Sequence, residues 1–250
     1  MVEGSPHVVH AHCHGGIVHV GVHVPDETGG DRDEARPALA QATSQEQLTT
    51  EGLGVGGVVL DSPDKGLLLP EGLRTSAAEN LIDVLADLHA VDIDAVGLGD
   101  LAKREGYVER QVKRWSTQWA NSKTRELPAV EEVARLLAEN IPVQHGVSIA
   151  HGDYRFGNCL TDISTGKIAA VLDWELCTLG DPLADLGYVG IYWTDPGVPM
   201  LRHNDPSGHP GSCTFDHLVQ RYATRTGRDV SNVAYYKAFS SFRLAVISEG

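Results

Sequence analysis

The sequence predicts an α+β fold, a mostly helical body that holds one small β-hairpin at its centre. Three observations predict it. From residue 67 onward apolar residues recur at helical spacing, as in Leu81, Leu85 and Leu88, or Val108, Val112, Trp115 and Trp119, which sets each group along one helix face. Two short apolar segments, CLTD and KIAAVLD, flank an STGK turn, the pattern of a hairpin. The chain also changes character near residue 67, dividing it into an atypical His/Gly-rich segment, 1–66, and a well-patterned body, 67–250.

Within the first segment, six of the twelve histidines stand at His7, His10, His12, His14, His19 and His23. GIVHVGVHV alternates, with Val18, Val20, Val22 and Val24 on one side and His19 and His23 on the other, a strand pattern. DETGGDRDEARP reads as a polar loop, and EGLGVGGVVLDSPDKG is glycine-rich and ends in turn signals. No helix with a continuous apolar face is visible there. In the body, Ser76 followed three residues later by Glu79 predicts a capped helix start, and this helix runs through LHAVD. A second helix covers about 107–121. Pro128 suits a first helical turn, and Val130, Val133 and Leu137 continue that third helix until Pro142. VSIAH is a short strand, HGDYRFGN a loop with two glycines, and the hairpin follows. After LGDP comes a helix through Leu183, Leu186 and Val189, then a long loop, then helices over 215–226 and 232–248.

Hydrophobic residues make up 42% and charged residues 22% of the 250, a globular composition. A net charge of −14 repels a phosphate backbone and argues against general nucleic-acid binding. No stretch approaches the ~18 apolar residues of a membrane span, and the amino terminus lacks the basic start and apolar run of a signal peptide. Cys13, Cys159, Cys177 and Cys213 are widely spaced, as reduced thiols of a cytoplasmic protein are, without the pattern of a disulfide framework.

The candidate chemistry lies in His151, Asp153, Asn158 and Asp173. A hairpin brings its ends together, so Asn158, entering its first strand, and Asp173, leaving its second, are expected to be neighbours. A carboxylate and an amide oxygen are hard ligands suited to Mg²⁺. Asp153 is then free to orient a hydroxyl nucleophile, and Arg155 adds positive charge near a transferred phosphoryl group. Together these are parts for phosphoryl transfer, in which positioning and charge neutralisation carry most of the barrier reduction.

HGDYRFGNCL and VLDWELCTLGDPLADLGY together resemble the aminoglycoside phosphotransferase and choline kinase superfamily, which shares the protein-kinase fold. LPEGL, LADLHAVD, VGLGD, YVERQVKRW, ANSKTRELP and YYKAFSSFRLAVISEG resemble in particular the kinase-like domains fused to acyl-CoA dehydrogenases. The resemblance covers about residues 67–250. It implies ATP and Mg²⁺ as cofactors and a small-molecule hydroxyl as acceptor, with a hydroxyacyl thioester as the candidate that the acyl-CoA dehydrogenase-linked branch suggests. By position, Asp153 matches the aspartate that accepts or orients the substrate hydroxyl, and Arg155 the basic residue two places on. Asn158 matches the metal-binding asparagine, and Asp173 the metal-binding aspartate. His151 matches the loop histidine, a structural hydrogen-bonder, and Asp181 and Asp185 are expected to brace the loops; His89, on the apolar-face side of its helix, reads as a packing histidine at the back of the loop. Trp115, Trp119 and Trp174 read as core or pocket wall, Trp174 being the one of the three best placed to border a ligand because it adjoins Asp173.

The family places an ATP-binding lobe before this region, with a glycine loop, a strand lysine and a helix glutamate. The first 66 residues hold one lysine, Lys65, in a turn. Arg32 and Arg36 lie in a polar run, and Glu46 and Glu51 lack a lysine partner. The implied architecture is a kinase-like, mostly helical C-terminal lobe with an N-terminal lobe that is truncated or degenerate. Two other functions stand beside the enzyme reading. One is a non-catalytic kinase-like module, a fragment or frame-shifted product, that binds a partner or dimerises through the face a nucleotide lobe would cover. The other is metal binding by His10, His12 and His14, which share one face of an extended segment with Cys13 opposite.

Overall fold

The apolar stripes read from the sequence become the contacts that build the body. The structure is a computed structural model and describes residues 8–14, 17–23, 57–144, 146–199 and 204–249, the first two segments as backbone. The DETGGDRDEARP loop, His7, Arg32, Arg36, Glu46 and Glu51 lie outside the described residues.

Two strands, β1 (Val8–His14) and β2 (Ile17–His23), pair antiparallel. Then come β3 (Val58–Val59), a short helix α1 (Pro63–Gly66), and the helices α2 (Glu71–His89), α3 (Tyr107–Ser122) and α4 (Pro128–Glu139). The site region contains β4 (Ser148–Ala150), β5 (Cys159–Asp162), β6 (Lys167–Val171) and β7 (Thr178–Gly180), and α5 (Leu183–Ile191), α6 (Phe215–Thr226) and α7 (Val233–Glu249) complete the body.

Helix α2 starts earlier than the capping pattern predicts. Pro70 precedes its first residue, and Ser76 lies inside the helix, where its hydroxyl donates to the Leu73 carbonyl at 3.0 Å. Glu79 is drawn to α6 instead, 2.7 Å from His217. A serine can bond back to its own helix as readily as cap one, and the helix already begins right after Pro70. Leu81, Leu85 and Leu88 are fully buried as their spacing requires, each such burial being worth about 1.5–3 kcal/mol. The opposite side of α2 is stapled to α6 by Asp83–Arg221 and Asp87–Arg225, at 2.7 and 2.8 Å.

Helix α5 is buried along its whole length, as expected of a helix apolar all round. Gly187 lets α7 come close, since a side-chain carbon there would sit 2.5 Å from Tyr236 Cβ. Helix α7 in turn packs on α4 and α3, with the Tyr235 hydroxyl donating to the Leu137 carbonyl at 2.9 Å.

The hairpin forms as predicted and belongs to a three-stranded sheet in the order β3-β5-β6. A second, two-stranded sheet joins β4 to β7. The sequence reading does not include β3 or β7: Val58–Val59 lies in a glycine-rich run and Thr178–Gly180 runs into the turn residues of LGDP. Among the described residues no helix is long and apolar enough to cross a membrane.

Candidate functional site

Strand β4 leads into His151, and Gly152 turns the chain with a left-handed φ of 86°. A side-chain carbon at Gly152 would lie 2.9 Å from the Leu176 carbonyl, so both conformation and space call for glycine.

His151 is fully buried and both its ring nitrogens are engaged. The Asp153 backbone N–H donates to Nδ1 at 3.2 Å, which leaves the ring proton on Nε2 to donate to the Leu172 carbonyl at 2.8 Å. A histidine so committed is a brace, as its sequence position implied. On the other side of Leu172, its N–H donates to the Asn158 carbonyl at 2.8 Å. This bond extends the β5–β6 ladder past the Cys159–Val171 pair. The loop and the hairpin therefore clamp Leu172 from both sides, and Asp173 is the next residue.

Asp173 is exposed and holds a left-handed backbone (φ 63°), the one non-glycine residue among those described to do so. Such a conformation costs of order 1–3 kcal/mol, and aspartate tolerates it better than most residues. Trp174 is half-buried. Its Nε1 donates to the Val171 carbonyl at 2.9 Å, and its ring lies 4.7 Å from that of His151.

Asn158 is buried, and its Nδ2 donates to the Asp153 carbonyl at 2.8 Å. Its Oδ1 is buried with no hydrogen-bond partner, and so is Asp153 Oδ1. An orphaned buried oxygen is costly, and two in one loop mark a place built for something else to complete. Arg155 Nε stands 3.5 Å from Asp153 Oδ1, near enough for charge attraction without hydrogen-bond alignment. Its Nε and Nη1 are also buried without partners, and its guanidinium lies 5.0 Å from the Tyr192 ring centre. The Tyr188 hydroxyl lies against Asp153; burial first, and then the charge of that carboxylate, pushes the Tyr188 pKa well up.

Buried acids hold the loop from below. Asp185 accepts from the backbone N–H groups of His151 and Gly152 at 2.7 and 2.8 Å, and lies 3.3 Å from His89 Nε2. Burial alone would raise its pKa, but the His89 hydrogen bond and charge, with help from His151 and the Gly152 amide, hold it below the ordinary carboxylate value. His89 is anchored in turn by the Tyr222 hydroxyl, 2.7 Å from its Nδ1. Asp181 accepts from the Leu183 N–H and the Tyr236 hydroxyl, at 3.0 and 2.7 Å. Two further supports were missed by sequence reasoning. Tyr154 donates to the Leu81 carbonyl at 2.8 Å, tying the loop to α2. Arg243 on α7 donates to the Gly152 carbonyl and packs against the rings of Tyr188 and Trp115. No local pattern announces a contact between residues 91 apart in the chain.

Of the residues expected at the site, Asp153, Arg155 and Asn158 come together directly, and Asp173 joins them across Leu172. The donor types suit Mg²⁺: a buried amide oxygen without a hydrogen bond on Asn158, and an exposed carboxylate on Asp173, the residue after the Leu172 that bonds to Asn158. No group of three or more His, Cys, Asp or Glu side chains gathers for a metal among the described residues. That is consistent with a cation that takes one or two protein oxygens and completes its shell with phosphate and water.

Comparison with known proteins accords with this geometry. A family model described as the phosphotransferase enzyme family matches residues 54–207. The chain is 33% identical over 202 residues to mouse acyl-CoA dehydrogenase family member 10, covering 78% of this chain but only 18% of that protein. It thus spans less than a fifth of that relative. A Ralstonia eutropha protein assigned to the aminoglycoside phosphotransferases superposes with a TM-score of 0.67 at 36% identity, over 78% of this chain and 60% of its own. The GDP and kanamycin complex of an aminoglycoside 2″-phosphotransferase shares the fold at a TM-score of 0.52 and 15% identity, over 75% of this chain and 59% of its own. The fold is thus of the aminoglycoside phosphotransferase and choline kinase kind, related to the kinase domain fused to acyl-CoA dehydrogenase family members, and other proteins of this fold hold a nucleotide. Because the family match takes in more than half of the 250 residues and the whole of the loop, hairpin and bracing acids, the chain belongs to the phosphotransferase enzyme family.

Proposed function

We propose that this chain carries an ATP- and Mg²⁺-dependent phosphotransferase site acting on the hydroxyl of a small molecule. The observation that carries the reading is the pair of buried oxygens without hydrogen bonds on Asp153 and Asn158, with the exposed Asp173 following the Leu172 that bonds to Asn158. Asn158 Oδ1 and Asp173 would hold the cation, which neutralises charge on the nucleotide phosphates. Asp153 orients the acceptor hydroxyl and takes up its proton. Arg155, whose Nε stands 3.5 Å from Asp153 Oδ1, would offer its charge to the phosphoryl oxygens. His151, Asp185 and Arg243 keep the loop rigid, which matters because a small displacement of a reacting group costs much of the rate. The relationship to proteins named for acyl-CoA dehydrogenases supports a hydroxyacyl thioester as acceptor.

A second reading, a kinase-like module without turnover, is favoured by Lys65. It is the only lysine before Lys103. Rather than lying on a strand opposite a helix glutamate, it sits in α1, paired with Asp61 at 2.9 Å. Calorimetric titration with ATP, with and without Mg²⁺, separates the two. Mg²⁺-dependent binding that Asn158→Ala and Asp173→Ala abolish is the expected result. Absence of binding at millimolar ATP rules out the enzyme reading for this chain and leaves the module.

A further inference from the structure

Arg155 does not close onto the carboxylate beside it. Its Nε stops 3.5 Å from Asp153 Oδ1 without a hydrogen bond, although both side chains are largely buried. Elsewhere in the molecule an arginine meets an aspartate in the ordinary way. Arg221 donates from Nε and Nη2 to the two oxygens of Asp83, at 2.7 Å each, the bidentate geometry that guanidinium and carboxylate favour. Arg155 instead leaves Nε and Nη1 buried without partners, which is unfavourable, so another contact must hold the side chain where it is. That contact is with Tyr192, a buried residue at the carboxyl end of α5. Its ring centre lies 5.0 Å from the guanidinium carbon of Arg155, inside the ~6 Å reach of a cation–π attraction, which strengthens as the pair leaves water. The Tyr192 ring is steadied by Tyr188 one helical turn earlier, with ring centres 5.3 Å apart, and Tyr188 is packed 4.6 Å from the guanidinium of Arg243. The Arg155 guanidinium also occupies the space that a side chain at position 157 would take, since a carbon on Gly157 would collide with Nη1. Arg155, Gly157 and Tyr192 line one small cavity.

We infer that Tyr192 is a positioning residue: its ring seats the Arg155 guanidinium and keeps it from closing onto Asp153, so that this carboxylate stays open to the acceptor hydroxyl. The role rests on the phosphotransferase reading; the contact stands without it. A carboxylate held in a bidentate pair has two of its lone-pair sites taken by guanidinium N–H groups, and the adjacent positive charge makes it a weaker base. A guanidinium seated a short distance away still contributes its charge and leaves those sites unused. Gly157 matters for the same reason, because it leaves room for the seat.

The test compares Tyr192→Leu, which removes the aromatic face, with Tyr192→Phe, which keeps it. The first readout needs no turnover: the Arg155 Nε–H resonance of the full-length chain, followed by nitrogen-15 NMR. In Tyr192→Leu it should move downfield and exchange more slowly with solvent as the guanidinium pairs with the carboxylate. Adding Asp153→Asn should reverse the shift, and Tyr192→Phe should leave the resonance in place. Gly157→Ala disturbs the seat without touching the ring, should move the resonance the same way, and decides the matter if Tyr192→Leu does not fold. The second readout is turnover with MgATP: in Tyr192→Leu kcat should fall about tenfold while KM for MgATP stays within about twofold, with Tyr192→Phe close to the unmodified chain. A resonance that does not move downfield in folded Tyr192→Leu (or, failing that variant, in Gly157→Ala) overturns the inference. So does a Tyr192→Phe variant as impaired as Tyr192→Leu. Absence of turnover in the unmodified chain overturns the phosphotransferase reading instead, and the resonance still decides whether Tyr192 holds Arg155 off Asp153.

Discussion

The His151 imidazole donates from Nε2 to the carbonyl of Leu172 at 2.8 Å, joining the catalytic-type loop to the strand end that presents Asp173. The bond is fully buried, so removing the ring leaves a carbonyl without a partner and opens space. His151→Ala is expected to cost about 1–3 kcal/mol for the stranded acceptor alone. That corresponds to a melting temperature lower by several degrees, at about 2–4 °C per kcal/mol for a chain of this size. A thermal melt checks it; an unchanged midpoint would show that the two segments are held without the histidine.

Asp173 should show opposite effects on stability and on ligand binding. Glycine adopts its left-handed backbone freely, so Asp173→Gly is expected to gain about 1 kcal/mol from relieved strain while Mg²⁺-dependent nucleotide binding is lost. Paired melts and titrations read both quantities. A variant that is destabilised and still binds would contradict the placement of Asp173 as a strained ligand.

Asp185 sets an acid limit. Its folded pKa lies below the unfolded value of 3.8, held there against burial chiefly by His89. Its contribution is therefore complete above about pH 4 and is lost as the pH falls through the folded pKa. Asp185→Ala should destabilise the body by about 3–5 kcal/mol at neutral pH, the range for breaking a buried charged pair. It should also flatten the part of the acid-unfolding curve below pH 4. Denaturant melts at a series of pH values test the two together.

Gly152→Ala meets both a positive φ and the Leu176 carbonyl. It should destabilise by more than about 1 kcal/mol and loosen the loop that Asp185 holds. Hydrogen exchange at the His151 and Gly152 amides is the direct readout, with faster exchange than in the unmodified chain expected.

The described thiols should be sluggish in the folded state. Burial pushes Cys159 and Cys177 up to about 12 and Cys213 to about 11. Thiolate is the reactive form. A thiol reagent at pH 8 should therefore label these three residues slowly until denaturant is added, as mass spectrometry of the labelled peptides would show.

Much of this architecture is legible in the sequence because it depends on local spacing. Leu81, Leu85 and Leu88 face the core as their period demands, and the STGK turn fixes a hairpin that puts Asn158 beside Leu172. HGDYRFGN and VLDWE are recognisable because a loop that must place an acid, an amide and a second acid leaves those types at set distances. Where local patterns compete, sequence reasoning goes astray. Ser76 and Glu79 have the spacing of a cap, yet Pro70 starts the helix sooner and His217 claims the glutamate.

By itself the sequence determined the helical body, the central hairpin and the identities of the four polar residues at its mouth, because periodicity and turn chemistry act over a few residues. Tertiary structure decided which polar atoms are satisfied and which are not. That Asn158 Oδ1 is orphaned while its Nδ2 is bonded, that Asp185 reaches back 34 residues to the His151 amide, and that Arg243 grips Gly152 from the last helix all depend on packing between distant segments.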